Sequence, residues 1–247
     1  ERMKTEFLAG ISGELQQPVG LIHETASRLL AEGDEPARKA WKEDIETIVA
    51  SSARQMELTG HLLELSLAQV DDFALHPSLF DPQRFAEAFA AEAPSRHRRK
   101  RWGPIAAAKA PAAIPLVWAD RDRLGQVLGI FMDCIFRDLG APSAELGLEI
   151  SPEGATLSAA CALREAAAAK KFAVIRELLQ ARPGLASLDH AKIELELAKR
   201  LAFFHGGAIS CSCGGETAAL ALTLPFPATD GLLQRSAAEQ GKPDEGI

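Results

Sequence analysis

Leucine and isoleucine recur at a seven-residue interval in the first part of the chain, at Leu8, Leu15, Ile22 and Leu29. A heptad interval places these side chains on one face of an α-helix that packs against other helices. The pattern predicts a helix over residues 2–31, roughly 45 Å long at 1.5 Å per residue. On this count Gly13 lies on the outer face, where glycine costs about 1 kcal/mol relative to alanine. The segment therefore needs helical partners to bury its apolar face.

A second helix is predicted over residues 37–70, after a turn at residues 32–36. Glycine in that turn permits a left-handed exit from the first helix, and Pro36 suits the first position of the next one. The apolar positions of the second helix also recur at helical steps, at Ile45, Ile48, Val49, Met56, Leu62, Leu63 and Val70. The two helices predict an antiparallel hairpin, and pairing with a second copy would bury the remaining apolar face in a homodimeric four-helix bundle.

The residues from Phe7 to Pro18 read FLAGISGELQQP. This stretch resembles the H-box of sensor histidine kinases, which usually reads F-L-A-x-x-S-H-E-L-R-T-P. In that family the histidine attacks the γ-phosphate of ATP and then passes the phosphoryl group to a response regulator. Gly13 stands at the histidine position and has no nucleophilic side chain. The resemblance also implies that the surface around Glu14, Gln16 and Gln17 docks receiver domains.

The segment from Val117 to Leu128 is similar to the one that precedes and opens the N-box helix of the histidine-kinase ATPase fold. Asp120 can cap this helix, and apolar residues such as Leu124 supply its buried face. The family continues with N-L-L-x-N-A-I-K-F-T, whose asparagines hold Mg²⁺. Here those positions are Ile130 and Cys134, which cannot supply a hard oxygen ligand. Arg137 stands at the lysine position, and Asp133 lies about 100° around the helix from the ligand position.

The glycine motifs of the family are also missing. Two strands are predicted at residues 145–151 and 155–161, but no D-x-G-x-G motif follows them, and the alanine-rich segment to residue 181 predicts a helix. Residues 195–209 resemble the last helix and strand of the fold and end in His205-Gly206-Gly207. On that alignment the phosphate-approaching glycines become Lys192 and Glu194, which adds bulk and negative charge. His205 is interpreted as a helix C-terminal residue stabilised by the helix dipole, not as a catalytic base.

These features predict an α+β protein with a long helical hairpin followed by an α/β-sandwich, histidine-kinase ATPase-like domain. The predicted boundaries are a dimerisation hairpin at residues 1–79, a degenerate ATPase-like domain at residues 80–226 and a disordered tail at residues 227–247. A basic run at residues 96–101 is interpreted mainly as a solvated loop, with a phosphate-binding or acidic-partner patch as the alternative.

Composition narrows the class of protein further. The net charge of −7 gives no global case for nucleic acid, and no apolar run approaches a membrane span or a signal peptide. The first residue, Glu1, suggests a fragment of a longer protein that lacks its sensor region. The four scattered cysteines, Cys134, Cys161, Cys211 and Cys213, are expected to be reduced and buried, which fits a cytoplasmic location. Neither a metal site nor a cofactor is expected.

The resemblance therefore predicts a histidine-kinase-like protein of a bacterial two-component system that acts as a pseudokinase. Its expected partners are a response-regulator receiver domain or another histidine kinase, and no catalytic residue is expected. The alternative hypothesis is a histidine phosphotransferase or atypical kinase that uses a displaced histidine, for which His23 is the better candidate and His61 the weaker one. A natural or an engineered origin of Gly13 stays open.

Overall fold

The computed structural model of the chain describes residues 19–22, 24–26, 28–29, 38–67, 74–96, 102–109, 115–152, 154–163, 166–180 and 190–226. The H-box-like segment and the predicted tail lie outside these ranges, and so does most of the basic run. Among the described residues, none of the helices combines the length and the apolar character that a membrane crossing requires.

The hairpin predicted from the heptad pattern is represented by two helices. Residues 19–22, 24–26 and 28–29 are helical and are called α1, and the long helix α2 runs over Arg38–Leu67. Arg28 of α1 forms an ion pair with the buried carboxylate of Asp44 on α2. Thr25 is also buried, so this face of α1 is covered.

The remaining elements are strands with helices between some of them. In chain order they are β1 (Ser78–Phe80), α3 (Pro82–Arg96), β2 (Ile105–Ala107), β3 (Val117–Ala119), α4 (Arg121–Asp133), β4 (Ala144–Ile150), β5 (Gly154–Ala162), α5 (Ala166–Gln180), α6 (His190–Phe204), β6 (Ala208–Gly214) and β7 (Thr217–Pro225). A five-residue π-helical turn, Cys134–Asp138, continues α4.

The strands form two sheets. The larger sheet has the order β2-β4-β5-β7-β6, in which β2 and β4 are parallel and the other neighbours are antiparallel. Buried and half-buried residues alternate along β5 and β7, so one face of the sheet packs against a shared apolar core. The smaller sheet pairs β1 with β3 in antiparallel register. Helices and a mixed sheet confirm the predicted α+β class.

Three local features differ from the sequence-based expectations. The strands β1 and β2 were not predicted, because three residues are too few to show an alternating pattern. Helix α6 begins at His190, earlier than the resemblance implied. Cys134 and Cys161 are buried as expected, but Cys213 is exposed because it lies near the end of the edge strand β6.

Candidate functional site

Helix α4 carries the N-box-like sequence, and Asp120 fixes where it begins. The Oδ1 atom of Asp120 accepts hydrogen bonds from the backbone N–H groups of Asp122 at 3.1 Å and Arg123 at 3.2 Å. Its Oδ2 atom accepts from the backbone N–H of His76 at 2.9 Å. Burial alone would raise the pKa of this carboxyl group, but these three N–H donors lower it overall. Asp120 therefore caps α4 as predicted and also ties it to the segment before β1.

His205 joins the end of α6 to the start of α4. Its Nε2 atom accepts a hydrogen bond from the backbone N–H of Asp120 at 3.1 Å, so its Nδ1 atom carries the proton and donates to the carbonyl of Leu201 at 2.7 Å. This geometry requires a neutral imidazole. His205 thus lies at the C-terminal end of α6, as predicted, and it contributes this pair of hydrogen bonds.

The two glycines after His205 end α6 in a Schellman motif. The N–H of Gly206 bonds to the carbonyl of Phe203, and the N–H of Gly207 bonds to the carbonyl of Ala202, each at 2.9 Å. Gly206 has a φ of 68°, which L side chains rarely adopt. A Cβ atom on Gly207 would lie 2.3 Å from the carbonyl oxygen of Thr223 on β7. Both glycines are thus required by the packing of α6 against the sheet.

The two residues predicted to replace the N-box asparagines have almost no exposed surface. Ile130 and Cys134 are both buried in the core. Burial raises the pKa of the Cys134 thiol well above its usual range, and the neighbouring carboxylates of Asp138 and Glu194 raise it further. A neutral, buried thiol is a poor ligand for Mg²⁺, which prefers oxygen.

Glu194, at a position predicted to replace a glycine, forms a buried ion pair with Arg137. The Arg137 Nη2 atom donates to Glu194 Oε2 at 2.7 Å, and Nη1 donates to Oε1 at 3.3 Å. The same guanidinium donates to Asp138 through Nε at 2.8 Å and Nη2 at 3.1 Å. The Glu194 side chain is 0% exposed and the Arg137 side chain is 33% exposed. These four hydrogen bonds engage most of the five N–H donors of a guanidinium.

The two carboxylates also raise the pKa of the arginine. Burial alone would lower the pKa of Arg137, but the hydrogen bonds and charges of Asp138 and Glu194 raise it overall. Lys192, the other position predicted to replace a glycine, is half-buried in the first turn of α6. Both positions therefore carry side chains in the first turns of α6, and the side chain of Glu194 is fully buried.

Three carboxylates meet where α2, α4 and α6 approach one another. Oxygen atoms of Glu57, Asp133 and Glu194 all lie within 4.8 Å of each other. Asp133 is buried, and its Oδ1 atom accepts a hydrogen bond from the indole Nε1 of Trp102 at 2.9 Å. Such a group can share protons or hold a hard divalent cation. The sequence did not indicate this cluster, because Glu57 comes from the hairpin and nothing in the spacing relates it to α4.

Helix α2 is anchored to α4 by polar and apolar contacts. Glu64 Oε1 accepts from Arg123 Nη1 at 2.9 Å, and Glu64 Oε2 accepts from Gln126 Nε2 at 2.6 Å. Arg123 also donates to Gln126 Oε1 at 3.0 Å. On the same helix, Leu58, Leu62 and Leu65 are buried in the core that includes α4 and α6. The end of the hairpin is thus part of the apolar core of the following domain.

An open cleft of about 920 Å³ lies between α2, α3 and α4. Phe85 and Phe89 of α3 line it together with Gly125 and Gly129 of α4. Glu57 and His61 of α2 form a further part of its wall. We call it the α2–α4 cleft. Of the four positions predicted to be degenerate nucleotide contacts, only Ile130 lines it.

The predicted partner-binding residues Glu14, Gln16 and Gln17 lie outside the described residues, as do Gly13 and the alternative phosphoacceptor His23. His61, the weaker alternative, is half-buried in the wall of the α2–α4 cleft. The structure thus brings together Glu194, Arg137 and Cys134 around α4 and leaves the predictions for the H-box-like segment as predictions.

Comparison with known proteins finds similarity to histidine kinases. No family model matches the chain. A segment of 98 residues, 40% of the chain, is 33% identical to the sensor-like histidine kinase SenX3 of Mycolicibacterium smegmatis and spans 24% of the length of that relative. The chain is therefore similar to histidine kinases in sequence over part of its length.

Solved structures extend the similarity to most of the fold. The Acinetobacter baumannii histidine kinase AdeS matches 87% of this chain and 98% of its own, with a TM-score of 0.61 and 18% identity. Full-length ShkA, solved with AMPPNP, matches 87% of this chain and 46% of its own, with a TM-score of 0.59 and 20% identity. The histidine kinase ThkA, solved with the response regulator TrrA, matches 90% and 61%, with a TM-score of 0.65 and 15% identity. The chain has a histidine-kinase-like fold.

Proposed function

We propose that the protein is a pseudokinase of a bacterial two-component system, which keeps the histidine-kinase scaffold for binding and does not carry out nucleotide chemistry. The observation that carries this proposal is the bidentate pair between Arg137 and the fully buried Glu194. Arg137 is predicted to stand where the family has its N-box lysine, and its guanidinium group is already bound by the Glu194 carboxylate. To bind this guanidinium, a phosphate group would have to displace the Glu194 carboxylate, which would leave a buried charge without this ion pair.

The surrounding residues support the same conclusion. Histidine phosphorylation by ATP needs a nucleophile, Mg²⁺ on the phosphates and backbone that approaches the triphosphate closely. Gly13 supplies no nucleophile, and the buried side chains of Ile130 and Cys134 offer no hard ligand. The fold itself accommodates a nucleotide in ShkA, which was solved with AMPPNP. Loss of nucleotide binding in this chain would therefore follow from its side chains and not from its architecture.

The proposed partners are a receiver domain or another histidine kinase. ThkA, which has a similar fold, was solved in complex with the response regulator TrrA. In the present chain the matching surface would include Glu14, Gln16 and Gln17. A partner that is bound without being phosphorylated changes state only if the scaffold binds one of its conformations more tightly.

Homodimerisation through the hairpin is part of the proposal. Ile45, Val49 and Met56 follow one another at helical steps on α2, and their exposed fractions are 53%, 44% and 76%. A helix stripe of this kind is normally covered by another helix. Val49→Glu should convert a dimer to a monomer in sedimentation analysis, whereas Val174→Glu, at an equally exposed valine of α5, should not. A monomeric wild-type protein would contradict this part of the proposal.

Nucleotide binding is the decisive experiment. A fluorescent ATP analogue with Mg²⁺ is titrated into the purified chain and then competed with unlabelled ATP. We expect no competable binding up to about 1 mM ATP, which corresponds to a binding free energy weaker than about −4 kcal/mol. Competable micromolar binding would contradict the pseudokinase proposal. Calorimetric titration of receiver domains from the same organism then tests the scaffold role, and an absence of heat at millimolar concentration would count against it.

A further inference from the structure

The α2–α4 cleft has the dimensions and the location of a small-molecule site. Its volume of about 920 Å³ lies in the range of pockets that bury most of a small ligand. It also lies where the hairpin meets the following domain, since Glu57 and His61 come from α2 and the other walls come from α3, α4 and the segment around β1. A ligand held there would touch both parts of the protein.

The walls of the cleft are apolar and flat where α3 faces α4. Phe85 and Phe89 are one turn apart on α3, and Gly125 and Gly129 are one turn apart on α4. A Cβ atom on Gly125 would meet no other atom within 4 Å, and one on Gly129 would meet only the ring of Trp102, at 3.8 Å. These glycines leave room for a flat apolar group to pack against the helix backbone and the phenyl rings.

The polar lining of the cleft is dominated by negative charge. It contains five carboxylates, two guanidinium groups and two imidazoles. Groups of both signs have protein contacts: Arg123 binds Glu64 and Gln126, and Arg121 lies over the ring of Phe80 at 5.5 Å, while Asp120 accepts backbone N–H bonds and Asp133 accepts from Trp102. The excess of carboxylates over cations therefore decides the sign of the charge in the cleft. The carboxylates of Glu57 and Asp133 lie together at one end, close to Glu194. The cleft therefore favours a cation over an anion.

We propose that the α2–α4 cleft binds an organic ammonium ion with an aromatic or apolar body. The body packs between Phe89 of α3 and the glycines of α4, and the ammonium group donates hydrogen bonds to Glu57 and Asp133. Charge-assisted hydrogen bonds to carboxylates and contact with the phenyl rings both favour a cation of this kind. The cleft shares Ile130 with the predicted nucleotide-contact positions, but binding of an organic cation is no part of the proposed function, so the proposal goes beyond it.

The test uses phenethylammonium as the probe and Trp102 as the reporter. The protein has three tryptophans, so its ¹⁵N–¹H spectrum has three indole signals, and Trp102→Phe identifies the one that belongs to Trp102. That indole N–H donates to Asp133, at the acidic end of the cleft. We expect a saturable shift of this signal on titration. The neutral analogue 2-phenylethanol should bind about tenfold more weakly, because it cannot make the charge-assisted contact.

Two leucine substitutions at helical glycines form a matched pair. Gly125→Leu fills the cleft, whereas Gly20→Leu adds the same side chain to α1, at a position that does not line the cleft and where a Cβ atom also meets nothing within 4 Å. Both replacements favour the helix, so neither should unfold the protein. Gly125→Leu should abolish the shift and Gly20→Leu should preserve it. Glu57→Gln should weaken binding by about tenfold.

Three results would overturn the proposal. One is equal affinity for phenethylammonium and 2-phenylethanol, which would exclude a role for the charge. Another is undiminished binding by a folded Gly125→Leu protein, which would place the probe elsewhere. The third is a saturable shift with Mg²⁺ alone that phenethylammonium does not compete away, which would assign the carboxylates to a metal ion. None of these results depends on whether the protein binds ATP or a receiver.

Discussion

Two junctions hold α4 against α6, and they differ in how they relate to histidine kinases. At the start of α4, Asp120 and His205 come from segments that match the family sequence, and they bond to each other. After the end of α4, Arg137 forms the ion pair with Glu194, a residue predicted to replace a glycine of the family. The first junction consists of hydrogen bonds that involve the backbone, and the second consists of paired charges.

The contrast separates residues that the fold requires from residues that nucleotide chemistry requires. Asp120, His205 and the glycines that follow His205 satisfy backbone groups at helix ends, which any protein with this architecture must do. Arg137 and Glu194 are instead the residues predicted to stand where the family has a lysine and a glycine. A chain that lost nucleotide chemistry would keep the first set and could replace the second with internal contacts.

The largest effect is expected from Arg137→Met, which breaks the second junction. The substitution leaves the fully buried Glu194 without its bidentate partner, and breaking a buried pair typically costs about 3 kcal/mol or more. The free energy of unfolding, measured by urea titration, should fall by about that amount. Arg84→Met is the control, since it removes an exposed ion pair with Asp81 and should cost less than about 1 kcal/mol. Equal losses of unfolding free energy in both variants would show that the burial of Glu194 does not make its ion pair more stabilising than the control pair.

The double variant Arg137→Met/Glu194→Met tests whether the stability loss of Arg137→Met comes from an uncompensated charge. Replacing both partners of a buried pair by apolar groups of similar volume is often close to neutral. The double variant should therefore recover most of the stability that Arg137→Met loses. If it is as unstable as the single variant, the cost arises from lost packing around α4 and not from an uncompensated charge.

The sequence predicted the Asp120 cap of the first junction but not the ion pair of the second, for a physical reason. Asp120 and the glycine exit at Gly206 are local devices, whose signals lie within a few residues of the helix end that they serve. The ion pair of Arg137 with Glu194 joins residues that are far apart in the chain, so neither residue type reveals its partner. The same limitation hid the contact of Glu57 with Asp133 and the anchoring of Glu64 on α4.

Asp120→Ala is expected to have the next largest effect, because it breaks the first junction. It removes the cap of α4 and the bond to the backbone of His76, and the loss of a cap costs about 1 kcal/mol, to which the second contact adds. A loss of about 2 kcal/mol in the free energy of unfolding is expected. Asp122→Ala, at the exposed neighbouring carboxylate, should change stability by less than about 0.5 kcal/mol. If Asp120→Ala also lowered the free energy of unfolding by less than about 0.5 kcal/mol, the result would show that α4 needs no cap.

His205→Ala should have a smaller effect than Asp120→Ala. It removes the acceptor for the N–H of Asp120 and the donor to the carbonyl of Leu201, but the cap of α4 stays in place. A loss of about 1.5 kcal/mol follows from two hydrogen bonds of ordinary strength. Urea titration of both single variants and the double variant gives the coupling energy between them. A coupling near zero would mean that His205 acts independently of the start of α4.

The smallest expected effect is the pH dependence of the first junction. Because N–H donors lower the pKa of the Asp120 carboxyl group in the folded protein, ionisation of this group stabilises the fold. The contribution is complete above the unfolded-state pKa of about 3.9 and is lost as the pH falls through the lower folded-state value. The stability difference between wild type and Asp120→Asn should therefore be constant from neutral pH to about pH 5 and should shrink below about pH 4. A difference that widens on acidification would require a raised pKa, and the N–H groups of His76, Asp122 and Arg123 would then not be the dominant influence on this carboxylate.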